Sequence, residues 1–84
     1  MTTITRAQPI RPYGRPTSIV WTRGEPANER DCAVLTTALR CGDAEIVERG
    51  RWGPYNAILR WTRPNEKPRS FLVDVQDAAP MDAR

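Results

Sequence analysis

Apolar positions recur with period two in three stretches of the chain, and a fourth stretch is strand-like in its residues; these four stretches predict β-strands. The first stretch covers residues 17–22, where alternation places Ile19 and Trp21 on one face and predicts a buried Trp21. The other stretches cover residues 44–48, 56–62 and 70–75, and turn-forming Gly, Pro and Asn residues separate them. Trp61, in the third stretch, is also predicted to lie in the core.

Between the first two predicted strands, the apolar pattern changes to that of a helix. Asn28 can cap the helix, because its side chain reaches free backbone N–H groups of the first turn. The helix is expected to run to about Cys41, with Gly42 in the left-handed position that ends many helices. The side chains expected to face the sheet are Cys32, Val34, Leu35, Ala38, Leu39 and Cys41.

These elements predict an α+β protein, a two-layer sandwich of order β-α-β-β-β with one helix packed on a small, largely antiparallel sheet. We expect a single domain over residues 17–77, because 84 residues can bury only one core. Residues 1–16 contain three prolines and no apolar run, and are expected to form a flexible arm. Residues 78–84 are expected to form a disordered tail. A homodimer or a larger partner would supplement so thin a core, through an open sheet edge.

The two cysteines and the hydropathy pattern indicate the cellular compartment of the protein. No apolar run reaches the length of a signal sequence or a membrane span, so we expect a cytoplasmic protein that does not enter the membrane. Cys32 and Cys41 lie nine residues apart on the predicted helix, a separation of roughly 13 Å that excludes a disulfide between them. Free thiols fit a reducing cytosol.

The formal net charge is +3, and the sign of the charge alternates from one segment of the chain to the next. Residues 1–23 carry four arginines and no acid, whereas residues 24–48 carry six acids and two arginines. Residues 49–69 are basic again, with a single acid. Twelve of the thirteen basic residues are arginine, which binds carboxylates and phosphates and stacks on aromatic rings. The bias also fits a GC-rich genome, which raises Arg, Ala and Pro together.

The composition argues against catalysis. The chain has no histidine, which removes the commonest general base and the usual zinc ligand sets. Its five glycines form no nucleotide-binding pattern, and its carboxylates form no calcium loop. We therefore predict no cofactor, no metal and no enzymatic activity.

One cysteine has a setting that enzymes use. Cys32 lies near the start of the predicted helix, where the helix dipole favours a thiolate, with strands following. This arrangement resembles papain-like cysteine peptidases and deamidases, in which later strands supply a histidine and then Asn or Asp. Asn56 stands where the histidine would be sought, and Asp74 lies on the next strand. The resemblance implies a degenerate relative of that scaffold; the alternative is that Cys32 is a buried apolar residue.

The strongest candidate for binding is the basic, aromatic turn over residues 49–55. It combines Trp and Arg, the residues that dominate binding hot spots. The predicted partner-binding residues are Arg49, Arg51, Trp52, Tyr55, Arg60 and Arg63. The alternative for Trp52 is that its ring folds back over the sheet edge.

These features favour a small intracellular module, an inhibitor or adaptor, that binds a larger protein or complex. By analogy of class, compact proteins of this kind are common in phages and mobile elements, where they block host enzymes or CRISPR effectors. The alternative is a nucleic-acid-binding protein whose arginines hold phosphates while aromatic rings stack on bases.

Overall fold

The computed structural model of the protein describes residues 2–14 and 19–77, with the backbone alone at Asp77. The elements are β1 (Thr2–Ile10), α1 (Glu29–Cys41), β2 (Ala44–Trp52), β3 (Tyr55–Trp61) and β4 (Arg69–Asp77). The strands form one antiparallel sheet in the order β1-β4-β3-β2, and the helix packs on it. The predicted α+β fold class is confirmed. No described helix is long and apolar enough to cross a membrane.

The first strand lies where a flexible arm was expected. β1 pairs with β4 along its length, so the arm prediction is wrong for Thr2–Ile10. Ile4 and Ala7 both face the helix although they are three residues apart, because a bulge between Ile4 and Arg6 interrupts the alternation. Pro9 is compatible with the strand because β1 is an edge strand, where a missing N–H breaks no ladder.

The stretch predicted as the first strand contributes only one isolated bridge among its described residues, between Thr22 and Ile10. Residues 15–18, and the predicted tail at 78–84, lie outside the described residues. The prediction that Trp21 is buried is wrong, because 57% of its surface is exposed. Trp61 is half-buried at the margin of the core, with the Arg63 guanidinium 5.4 Å from the ring centroid.

The helix begins and ends as predicted. The Asn28 side chain accepts a hydrogen bond from the Asp31 N–H at 2.8 Å, and Gly42 adopts the left-handed conformation at φ 87°. The predicted buried face is wrong at three positions, since Val34 and Cys41 are exposed and Thr36 is buried. The helix is therefore rotated about its own axis so that Thr36 faces β1, the strand with which the helix makes its most extensive contact.

Two apolar clusters hold the fold together. The main core lies between α1 and the sheet and includes Leu35, Leu59 and Val73, each at most 2% exposed. Ile58 and Leu72, one position from core residues on β3 and β4, point to the opposite face because side chains alternate along a strand. There they pack with Ile10 and Tyr13 in a second cluster.

The outer edge of β1 is bonded by the chain itself. Two side chains of the helix and two backbone N–H groups of the segment before it make hydrogen bonds to β1. They join Arg40 to Thr2 at 2.9 Å, Thr36 to Ile4 at 2.9 Å, Ala27 to Ala7 at 2.8 Å and Arg23 to Pro9 at 2.8 Å. These bonds block strand addition along much of this edge.

Candidate functional site

The β2–β3 hairpin presents part of the predicted site. Arg49 and Arg51 are exposed, whereas the Trp52 ring is half-buried against the second cluster. The indole lies over Gly50, where an added Cβ would come within 2.7 Å of it. Tyr55 is also half-buried and packs against the same cluster. Trp52 thus folds back on its own chain, the alternative considered from the sequence.

Arg60 and Arg63 lie away from the turn of the hairpin. Arg60 is five residues along β3 from Tyr55, a distance of about 17 Å. It approaches Glu45 at 4.0 Å, and Arg63 approaches Glu66 at 3.5 Å. The predicted residues are therefore spread along the hairpin: Trp52 and Tyr55 pair at its turn, Arg49 is in register with Ala57, and Arg60 and Arg63 lie toward and beyond the other end of β3.

A different surface carries the exposed apolar side chains. We call residues 19–23 the Trp21 segment: Ile19 is 70% exposed and Trp21 57%. Two backbone hydrogen bonds fix this segment to the end of β1 and the residue after it, from Arg11 N–H to Trp21 C=O at 2.9 Å and from Arg23 N–H to Pro9 C=O at 2.8 Å. The two arginines that make these bonds are exposed.

The Trp21 segment was not among the predicted site residues. Alternation over residues 17–22 resembles that of a core strand, and nothing in that pattern distinguishes a strand from a surface segment with one bridge. The only signal in the sequence was Arg23 beside Trp21, the pairing of residue types that singled out Arg51 and Trp52.

The residues that resemble a cysteine-hydrolase site are not brought together. Cys32 is buried in the main core, with the backbone of Ala7 near its thiol. The Asn56 side chain bonds both the N–H and the C=O of Val75, at 2.9 and 3.0 Å. Asp74 accepts from the Thr5 hydroxyl and the Gln76 amide, at 3.1 and 2.7 Å. These contacts give Cys32 no base.

The electrostatic setting of Cys32 opposes a thiolate. Burial chiefly, and then the negative charge of Asp31, raise the pKa of the thiol, and the backbone of Ala7 lowers it by less. A nucleophilic cysteine needs the opposite shift. Among the described residues, no cluster of three His, Cys, Asp or Glu side chains could hold a metal ion.

Comparison of the chain with protein-family models, curated proteins and solved structures finds no match in any of the three.

Proposed function

We propose that the protein is a non-catalytic binding module, an inhibitor or adaptor, that contacts a larger protein through the Trp21 segment. The observation that carries the proposal is an exposed tryptophan on a backbone held by two hydrogen bonds. A large apolar side chain in water gains free energy when a partner covers it. Holding it in place beforehand reduces the entropy lost on binding.

The surroundings of Trp21 fit a protein partner. Ile19 adds a second exposed apolar side chain, and Arg11 and Arg23 supply a polar rim. Apolar centres with polar rims are typical of protein interfaces. The exposed Arg49 and Arg51 of the hairpin remain proposed contacts, although Trp52 is engaged within the chain.

Location in the cytoplasm is part of the same proposal, supported by two free cysteines. The inhibitor role and a mobile-element source rest on analogy of class alone.

A nucleic-acid-binding protein is the second candidate, favoured by one observation. The backbone of Arg11 is bonded to that of Trp21, and Arg23 lies two residues from Trp21, so phosphates could pair with these exposed arginines while a base stacks on the indole. Glu25, two residues from Arg23 and exposed, weakens this alternative because it repels a phosphate backbone.

Affinity capture from lysate with and without nuclease separates the two candidates. We expect a stoichiometric protein to survive nuclease and moderate salt, and to be lost when Trp21→Ala is used as bait. Val34→Ala is the control, because Val34 is 45% exposed on the helix. Recovery of nucleic acid alone, or equal protein capture by Trp21→Ala, would reject the proposal.

A further inference from the structure

A cleft of about 400 Å³ lies beside the Trp21 segment, at the end of the sheet where β1 ends and β4 begins. Three prolines and Phe71 form much of its wall, and the hydroxyl-bearing Ser70 also lines it. Among the residues that the structure describes, the charged ones lining it are Arg23 and Arg69, without a carboxylate. We call it the basic cleft.

Both arginines of the basic cleft are available to a ligand. Elsewhere, Arg60 approaches Glu45 and Arg63 approaches Glu66. None of the ion pairs within residues 2–14 and 19–77 involves Arg23 or Arg69, and both residues are exposed. Two unpaired guanidinium groups on one cleft attract an anion.

The backbone that carries the two arginines is fixed. Arg23 donates its N–H to Pro9, and the buried Gln8 side chain donates to the carbonyl of Gly24 at 3.1 Å. Arg69 is the first residue of β4 and pairs in register with Trp61 on β3. The cleft is therefore positioned before any ligand arrives, which lowers the cost of binding.

The neighbouring charges select the kind of anion. A second cleft shares Pro9, Arg69 and Phe71 with the basic cleft, and its wall includes Glu25, Asp31 and an Arg63 that approaches Glu66. A nucleic-acid strand that placed one phosphate between the arginines and continued along this second cleft would bring its next phosphates near the two carboxylates, which repel them. A peptide can offer one carboxylate and continue with uncharged residues.

We infer that the basic cleft binds an Asp or Glu side chain of the protein that covers Trp21. This inference rests on the proposed function. It specifies that the partner protein carries an acidic segment beside the apolar segment that covers Trp21. Arg23 belongs to both surfaces, since it lies two residues from Trp21 and lines the cleft. A partner that covers the indole thus also reaches the two guanidinium groups.

A titration of the purified protein followed by NMR tests the inference. The probes are a capped peptide, acetyl-Gly-Glu-Leu-Glu-Gly amide, its glutamine counterpart and a short oligodeoxythymidylate. We expect saturable shifts of the Arg23 and Arg69 Nε–Hε signals with the glutamate peptide, and about tenfold weaker binding of the glutamine peptide. Arg23→Ala or Arg69→Ala should abolish the shift of the other arginine, whereas Arg6→Ala, at an exposed arginine outside both proposed surfaces, should leave both.

Equal binding of the two peptides, no shift, or shifts spread over all arginines would overturn the inference, as would tighter binding of the oligonucleotide. The two proposals fail separately. If a protein is captured through Trp21 but Arg23→Ala and Arg69→Ala capture it as well as the wild type does, only the basic-cleft inference is rejected. An unchanged amide spectrum for each variant shows that the fold is intact.

Discussion

The Thr36 hydroxyl accepts a hydrogen bond from the backbone N–H of Ile4 at 2.9 Å and donates one to the Cys32 carbonyl at 2.8 Å. Thr36 is 7% exposed, so the bond is shielded from water. It joins the helix to the outer edge of β1, a strand that has only one neighbour in the sheet. Thr36 is thus a polar residue on the buried face of the helix because it accepts the hydrogen bond of a backbone N–H at the edge of the sheet.

Replacing Thr36 with valine keeps the shape of the side chain and removes the acceptor. The buried Ile4 N–H would then lack a partner, which costs about 1 to 3 kcal/mol. Urea unfolding measures this loss as a lower midpoint at unchanged slope.

Thr37→Val is the matched control. The Thr37 hydroxyl is exposed and donates only to the Ala33 carbonyl within the helix, at 3.1 Å. We expect a change below about 0.5 kcal/mol. Equal effects of the two substitutions would show that the bond to β1 does not stabilise the fold.

Gly50→Ala should displace the Trp52 ring. The added methyl group would occupy space 2.7 Å from the indole, so either the ring moves or the hairpin distorts, at a cost of about 1 to 3 kcal/mol. The Trp52 indole N–H resonance should shift strongly.

Gly42→Ala separates this steric effect from backbone strain. An added Cβ at Gly42 meets no atom within 4 Å, and the cost comes from the left-handed φ of 87°, about 1 kcal/mol. This variant should lose stability while the Trp52 resonance stays in place. An unchanged resonance in Gly50→Ala would contradict the packing of the ring on the glycine.

A thiol-reactive disulfide reagent should distinguish the two cysteines. Cys41 is exposed, whereas Cys32 is buried and its thiol pKa is raised. The raised pKa keeps Cys32 protonated to higher pH than an ordinary thiol, so its labelling lags that of Cys41 as pH rises. At neutral pH we expect rapid reaction of Cys41 alone, and reaction of Cys32 after unfolding.

The variant Cys41→Ser provides the control for this assignment. It should show no rapid labelling in the folded state. Rapid labelling of this variant at neutral pH would contradict the burial of Cys32 and would support the hydrolase hypothesis.

The helix was predictable because its signals are local. Asn28 and Gly42 act on the backbone within one turn, and both positions are as predicted. Strands β3 and β4 were predictable because polar and apolar residues alternate along them, and β2 because turn residues follow a strand-like run. β2 and β4 extend beyond their predicted runs, and β3 begins and ends one residue earlier than predicted.

β1 and the binding surface were not predictable from such local patterns. The bulge between Ile4 and Arg6 hides the period of two, and Pro9 is tolerated only because β1 lies at the sheet edge. Residues 19–23 meet the outer edge of β1 through one isolated bridge and two backbone hydrogen bonds and form no full strand, and Trp21 is left exposed. Both are consequences of contacts between distant residues.

The most direct test of the account compares the affinities of Trp21→Ala and Arg51→Ala for the protein recovered by nuclease-treated capture. Both side chains are exposed, one on the Trp21 segment and one on the hairpin. We predict that Trp21→Ala weakens binding by about 30-fold or more, as expected for a hot-spot tryptophan worth at least about 2 kcal/mol. Arg51→Ala should change affinity by less than about fivefold. Loss of binding in Arg51→Ala with full affinity in Trp21→Ala would contradict the proposal and place the interface on the hairpin.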